Sequence, residues 1–326
     1  MIDNEGILSR PAPDCPLCGS AGALLYQNLR DPLFGSPGVW SLRRCDSPDC
    51  ASGWIDPLPL PESLGRLYET YHTHGEQRGD NSPLPPIPFA PRFPRTKRLL
   101  AALLPRWRHL FQTELHHFAG MTPGTLLDVG CGSGGFLREA VGAGWKAVGI
   151  DFDAEAIAEA SRVEGAEVHV MDVFDARLDD RRFEGILLDN VIEHLPDLPR
   201  VVTRLAMLLA PGGRLVMITP NFQAAGHATF GADWRGLETP RHLCLFTAQS
   251  LARLVRENGL PDARAFCVRG PHDLDFMSKA SSDIARTRGH APPSFDLAAL
   301  KQSVSRSFFT GKTIGEFLIL VANKAR

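Results

Sequence analysis

The sequence predicts an α/β fold: an open, mostly parallel sheet with helices on both faces, preceded by a small cysteine-rich module. Three observations carry that reading. The apolar run Thr125-Leu-Leu-Asp-Val129 ends in a glycine-rich turn, Gly130-Cys-Gly132-Ser-Gly134-Gly135, and a helical pattern with Phe136, Leu137 and Ala140 on one face follows. A second apolar run, Trp145 to Ile150, closes on Asp151, 21 residues after Gly130. Four of the seven cysteines fall within the first fifty residues.

The bulk composition sets the class. The chain has 326 residues, 44% of them hydrophobic, with 35 basic and 37 acidic side chains and a net charge of −2. That length suits one large α/β domain plus a smaller module. The charge gives no global attraction to polyanions, so no stable nucleic-acid partner is expected. No apolar run reaches the roughly 18 residues that cross a bilayer. The opening, MIDNEGILSRPAPD, has acids and prolines where a secretory signal would need a basic end and an apolar core. A cytoplasmic, reducing location is the expectation, and there clustered cysteines serve as metal ligands more often than as disulfides.

Residues 1–60 are read as a zinc-ribbon-like module. Cys15-Pro-Leu-Cys18 and Cys45-Asp-Ser-Pro-Asp-Cys50 are separated by 26 residues, and each half reads as a knuckle that points two thiolates at one tetrahedral ion. About 35 residues bury too little core to hold together alone, so Zn²⁺ would supply much of the folding energy. Four thiolates leave no open position, which makes the expected zinc structural. Cys131, Cys244 and Cys267 stand singly later in the chain, and two of them sit in apolar stretches as small core residues.

Residues 61–119 are read as a connecting and covering segment. Leu64, Leu67, Tyr68 and Tyr71 share one face of a short helix, which either packs on the large domain or offers Tyr68 and Tyr71 to a substrate. Six prolines between Pro83 and Pro94 demand extended chain. Arg92, Arg95, Lys97, Arg98, Arg106 and Arg108 lie on a stretch without acids, with apolar residues at helical spacing. That stretch reads as a helix with a solvated basic face, or as a weak membrane-surface or anionic-substrate contact through 92–108.

Residues 120–326 form the large domain. The turn fits G-x-G-x-x-G, yet Asp128, two residues before the first glycine, would oppose a pyrophosphate and suits a cationic amino group. Leu127-Asp128-Val-Gly130-Cys131-Gly132-Ser-Gly134 resembles motif I of the class I methyltransferases that depend on S-adenosyl-L-methionine (SAM). Val148-Gly-Ile-Asp151 resembles their second motif, in which the acid holds the ribose, and Phe152 would flank the adenine. Val170-Met-Asp172-Val173 resembles the third, with Asp172 placed to accept from the adenine amino group. Phe183 to Asn190 matches the fourth strand, and Pro211 to Ile218 the turn and fifth strand. The resemblance covers about residues 120–325.

It implies a Rossmann-like, seven-stranded sheet in the order 3-2-1-4-5-7-6 with the last strand antiparallel. Strand six would be Ala263 to Val268, strand seven Glu316 to Asn323, and a helical cap at about 270–312 would be inserted between them. It also implies SAM as cofactor, S-adenosyl-L-homocysteine (SAH) as product, and Asp128, Gly130, Cys131, Gly132, Gly134, Asp151, Phe152, Asp172, Val173 and Asn190 as the cofactor site.

The acceptor chemistry rests on Glu193-His194, just past strand four. The pair resembles one in O-methyltransferases of ubiquinone biosynthesis and in some sugar C-methyltransferases. A histidine near its ordinary pKa accepts a proton at neutral pH, so His194 is the candidate base; the other reading is a histidine that bonds backbone and lines the site. Neighbours on a helix diverge by about 100°, so Glu193 and His194 are not expected to form a simple dyad. Asn221, Arg241 and His242 lie on the loop after strand five, either against the substrate or fixing the loop, and Thr247 would cap the next helix. The expected acceptor is a hydroxyl of a small or carrier-linked molecule, a saccharide included. A nucleotide-linked sugar methylated on carbon, an rRNA base, and a non-catalytic SAM-binding subunit are the alternatives. Neither the acceptor's identity nor the oligomeric state is legible.

Overall fold

The computed structural model describes residues 1–69, 114–267, 271–310 and 312–326. Tyr71, the proline run and the basic stretch 92–108 lie outside the described residues. Six short strands open the chain: β1 (Ile2–Asn4), β2 (Ile7–Arg10), β3 (Gly22–Leu29), β4 (Trp40–Cys45), β5 (Gly53–Asp56) and β6 (Leu58–Pro59). β1, β2 and β6 make a small antiparallel sheet. β3, β4 and β5 form an antiparallel meander in which Trp40 and Leu42 turn inward while Ser41 and Arg43 alternate outward. The opposite face carries polar anchors. Trp54 Nε1 donates to the Ala12 carbonyl at 2.7 Å, and Arg43 pairs with Asp56 at 2.6 Å.

The second half is wound around a seven-stranded sheet. Its elements are β7 (Thr125–Val129), α1 (Gly135–Gly142), β8 (Lys146–Asp151), α2 (Ala154–Ala160), β9 (Glu167–Val170), β10 (Phe183–Asp189), α3 (Leu198–Leu208) and β11 (Leu209–Pro220). After them come α4 (Ala225–Phe230), β12 (Cys244–Leu245), α5 (Ala248–Glu257), β13 (Arg264–Cys267), α6 (Pro271–Thr287), α7 (Leu297–Thr310) and β14 (Phe317–Asn323). The sheet order is β13-β14-β11-β10-β7-β8-β9, which is 3-2-1-4-5-7-6 when these strands are counted in chain order. β14 runs antiparallel to both β11 and β13. The central strands are buried on both faces, so β7 and β10 read as continuous apolar runs rather than alternating ones. No helix among the described residues is long and apolar enough to cross a membrane.

The opening module is not a bead on a string. β12, from the loop after β11, pairs antiparallel with β5, so the meander becomes four strands with one from the large domain. The core beneath it is shared: Ile7, Leu29, Trp40, Leu42 and Ile55 pack with Phe222, Phe230, Trp234, Leu243 and Leu245. α6 closes the same region, contributing Met277 to that core and Ser281 Oγ to the Arg235 amide at 2.9 Å. Just past its end, Arg288 and His290 both reach the Asp233 carboxylate.

Candidate active site

The carboxyl ends of β7, β8, β9 and β10 line one crevice, and the glycine turn after β7 floors it. Gly130 and Gly134 have φ of 72° and 81°, left-handed values that favour glycine. A Cβ on Gly130 would also meet Val191 at 2.4 Å. The backbone donors of Gly130 and Cys131 are spent on Ile150 O, that of Gly134 on Cys131 O, and that of Gly132 on the Asp151 carboxylate at 2.9 Å. A turn that spends its amides internally is a poor cradle for phosphate. Asp128 is buried, and burial together with Asp189 and Asp151 raises its carboxyl well above the ordinary range. Three acids converging on one crevice are relieved by a cationic ligand.

The remaining predicted cofactor residues share that crevice. Asp151 accepts from the Gly132 and Asp153 amides, which leaves lone pairs for ribose hydroxyls. The Phe152 ring is 66% exposed and Val170 47%, an apolar pair open at the rim where a planar base can sit. Asp172 is exposed and accepts from the Phe174 amide, Val173 is buried, and Asn190 (φ 53°) donates to Asp189. Cys131 lies in the turn with its Sγ against Gly149, where a Cβ would stand only 2.7 Å away. Burial pushes that thiol up, so it is a filler and not a nucleophile.

On the acceptor side a single helical turn, Ile192–His194, follows β10. His194 Nδ1 lies 3.1 Å from the Arg241 carbonyl and 3.0 Å from the Tyr68 hydroxyl. A carbonyl only accepts, so the contact with Arg241 is a hydrogen bond in the tautomer whose Nδ1 carries the proton and whose Nε2 keeps its lone pair. Burial holds the His194 pKa below its ordinary value, which keeps the ring neutral with a lone pair to accept a proton. Glu193 is fully buried and accepts from Thr219 Oγ1 at 2.9 Å; burial pushes its pKa up to about 8. Glu193 and His194 form no hydrogen-bonded dyad, but each brings a polar atom within 4.8 Å of the other and of His242. His242 donates Nδ1–H to the Gly236 carbonyl, and its Nε2 stands 3.8 Å from Glu193 Oε1.

Asn221 and Arg241, read from the sequence as lying against the substrate or fixing the loop, both bond to distant parts of the protein. Asn221 is buried and donates to the Thr313 and Gly315 carbonyls, tying the start of the long loop to the lead-in of β14. Arg241 is buried, with Nη1 at 2.7 Å from Asp31 and 2.9 Å from Ser36 Oγ, and Nε at 3.2 Å from Glu238. Burial would raise Glu238, yet Arg235, the nearby histidines and Arg241 hold it below the usual carboxylate range. The guanidinium therefore joins the opening module to the loop. A buried charge must be paired, and these are its pairs.

The four cysteines of the opening module converge. Cys15 and Cys50 Sγ are 3.7 Å apart, Cys18 and Cys45 Sγ 3.4 Å, and all four lie within 4.8 Å of one another. A disulfide would need about 2.05 Å, whereas a tetrahedron of about 2.3 Å zinc–sulfur bonds has edges near 3.8 Å. The donor set fits zinc.

With this geometry in place, relatives decide the family. The family described as Methyltransferase domain matches residues 101–263, half of the chain. The chain belongs to this family of SAM-dependent methyltransferases. Among curated relatives, it is 33% identical over 141 residues to an uncharacterized 37.1 kDa protein in transposon TN4556 of Streptomyces fradiae, a match covering 41% of this chain and 38% of that protein. It is 26% identical over 183 residues to a ubiquinone biosynthesis O-methyltransferase of Bradyrhizobium sp., covering 49% of this chain and 71% of the relative. A SAM-dependent methyltransferase from Archaeoglobus fulgidus shares 16% identity over 70% of this chain and 94% of its own, with a TM-score of 0.43.

Two features escaped the sequence reading. His116 Nε2 lies 3.4 Å from Asp189 Oδ2, and its ring meets Phe136 edge-on at 4.6 Å, so it packs beside the acidic cluster. Leu115, His116 and His117 carry it there with φ of 50°, 46° and 67°. Three non-glycine residues in the left-handed region in succession have no sequence signature. The Asp31–Arg241 pair spans 210 positions, and nothing local to either residue announces it.

Proposed function

We propose that this methyltransferase transfers a methyl group from SAM to a hydroxyl of a small or carrier-linked molecule, with His194 as general base. The observation that carries the reading is the commitment of His194 Nδ1 to the Arg241 carbonyl, which leaves Nε2 as the proton acceptor. SAM supplies an electrophilic methyl on a sulfonium, so the protein has to align the acceptor, exclude water and take one proton. As the acceptor oxygen forms its bond to the methyl carbon, the carbon–sulfur pair returns to sulfur, leaving SAH. The hydroxyl proton passes to His194 Nε2, and the Arg241 carbonyl steadies the resulting imidazolium.

In this reading Asp128 and its acidic neighbours receive the cofactor's ammonium group, while Asp151, Phe152, Asp172, Val173 and Asn190 receive its nucleoside end. Gly130, Cys131, Gly132 and Gly134 shape the floor. Cys15, Cys18, Cys45 and Cys50 hold a structural zinc, and residues 1–60 serve as the wall of the acceptor side. We place the enzyme in the cytoplasm, where those thiols stay reduced. Arg235, Arg241 and Arg288 are each engaged by a carboxylate of the protein, an arrangement that favours a neutral hydroxylated acceptor over a diphosphate-linked one.

The test combines purified protein, methyl-labelled SAM and fractionated host extract. Label is expected in small molecules or saccharide. His194→Ala should lower turnover by more than about 100-fold, the range of general-base contributions, while SAM affinity stays unchanged. Label in RNA, or full turnover by the variant, would overturn the reading.

A further inference from the structure

The Tyr68 hydroxyl meets the same His194 nitrogen as the Arg241 carbonyl, at 3.0 Å. Its ring meets Phe152 edge-on, with centroids 5.3 Å apart. One side chain thus touches both the candidate base and the residue expected to flank the adenine.

The backbone beneath Tyr68 is fixed. Tyr68 ends the short helix Pro61–Tyr68, in which Leu67 is fully buried. Ser36 Oγ donates to the Leu67 carbonyl at 2.8 Å and accepts from Arg241 Nη1 at 2.9 Å. The carbonyl of that arginine accepts from His194 Nδ1–H. The path Tyr68–His194–Arg241–Ser36–Leu67 therefore closes on itself, and the freedom left to Tyr68 is the rotation of its own side chain. Phe152, two-thirds exposed, is the solvent-facing neighbour in that arrangement.

We propose that Tyr68 is a positioning residue that ties the orientation of His194 to the occupancy of the cofactor groove. With Nδ1–H already directed at the Arg241 carbonyl, the Tyr68 oxygen accepts a share of the same proton. Two acceptors on one N–H fix the ring plane and hold Nε2 toward the methyl-transfer path. A base seated on Phe152 presses its ring against Tyr68, and the hydroxyl passes that constraint to the imidazole. The inference rests on the roles proposed above for His194 and Phe152.

Full-length protein labelled with ¹⁵N-histidine tests it without a known acceptor. The His194 ring signals are found by their absence in His194→Ala, and SAH is the titrant. In the wild type, His194 should be the Nδ1–H tautomer and its signals should move when SAH binds. Tyr68→Phe keeps the ring and loses the oxygen. It should bind SAH within about twofold of wild type yet shift the tautomer ratio by about fivefold, the worth of one neutral hydrogen bond. It should also lose the His194 response to SAH. Phe152→Leu, at an exposed position, should keep the tautomer and lose the response. Equal His194 responses to SAH in wild type and Tyr68→Phe would overturn the proposal, as would an unchanged tautomer ratio. Full turnover by His194→Ala would instead sink the base assignment and leave the measured coupling standing, so the two failures are distinguishable.

Discussion

At the scale of single residues, Glu193 is the most informative side chain. It is sealed from solvent, its Oε2 accepts from Thr219, and its Oε1 has no hydrogen-bond partner among the described residues. Burial, with Asp189 and Glu238 adding to it, lifts the pKa from 4.5 to about 8 despite the Thr219 bond. A carboxyl raised in the folded state favours folding while both states are protonated, and that contribution is lost as pH climbs from the unfolded value through the folded one. Stability attributable to Glu193 therefore declines between about pH 4.5 and 8. Glu193→Gln, which keeps the shape and cannot ionise, should flatten that part of the profile. Urea unfolding at pH 5 and pH 8 would show it: the variant should gain on the wild type at the higher pH. A parallel fall in both proteins would show that Glu193 ionises in the fold without penalty.

At the scale of elements, the cysteine knuckles hold more than their own loops. Cys45 ends β4, and the Cys50 carbonyl accepts from Thr247 Oγ1 at 2.8 Å. Thr247 is the N-cap of α5, in a reciprocal box with Ser250. A metal bound by Cys15, Cys18, Cys45 and Cys50 would thus brace β4, β5 and the first turn of a helix in the other half of the chain. Protein purified without chelator should carry about one zinc per chain, the stoichiometry of a four-thiolate site. Chelation should speed amide exchange in β3–β5, in β12 and at the start of α5, and leave β7, β10 and β11 protected. Protein free of zinc, or an exchange pattern indifferent to chelation, would count against the site.

At the scale of the whole molecule, the two halves share one core. Trp40, Leu42 and Ile55 on one side and Phe222, Phe230, Trp234 and Leu245 on the other bury one another, and β12 completes the meander. Residues 61–326 alone would expose an apolar face and strip Arg241 of Asp31 and Ser36. That truncated chain should aggregate or melt without cooperativity in calorimetry. A cooperative transition at the full-length temperature would mean that the large domain stands alone. The same joint engages Arg241 and Asn221: one ties the loop to Asp31 and Ser36, the other to the lead-in of β14.

The sequence by itself determined the sheet and the acidic crevice at its strand ends. Runs such as Thr125–Val129 and Phe183–Asp189 announce buried parallel strands, and Gly130, Asp128, Asp151 and Asp172 stand at strand ends, where chemistry and local geometry coincide. The cysteine pairs were legible for the same reason, because a knuckle is a local turn with two thiols at fixed spacing. Only the tertiary structure decided the acceptor side. His194 owes its tautomer to a carbonyl 47 positions away, its neighbour Tyr68 comes from 126 positions away, and Arg241 meets Asp31 across 210. Local pattern records what a residue does to its own strand or turn. A hydrogen bond closed between distant segments depends on how their cores pack, and leaves no periodicity to read.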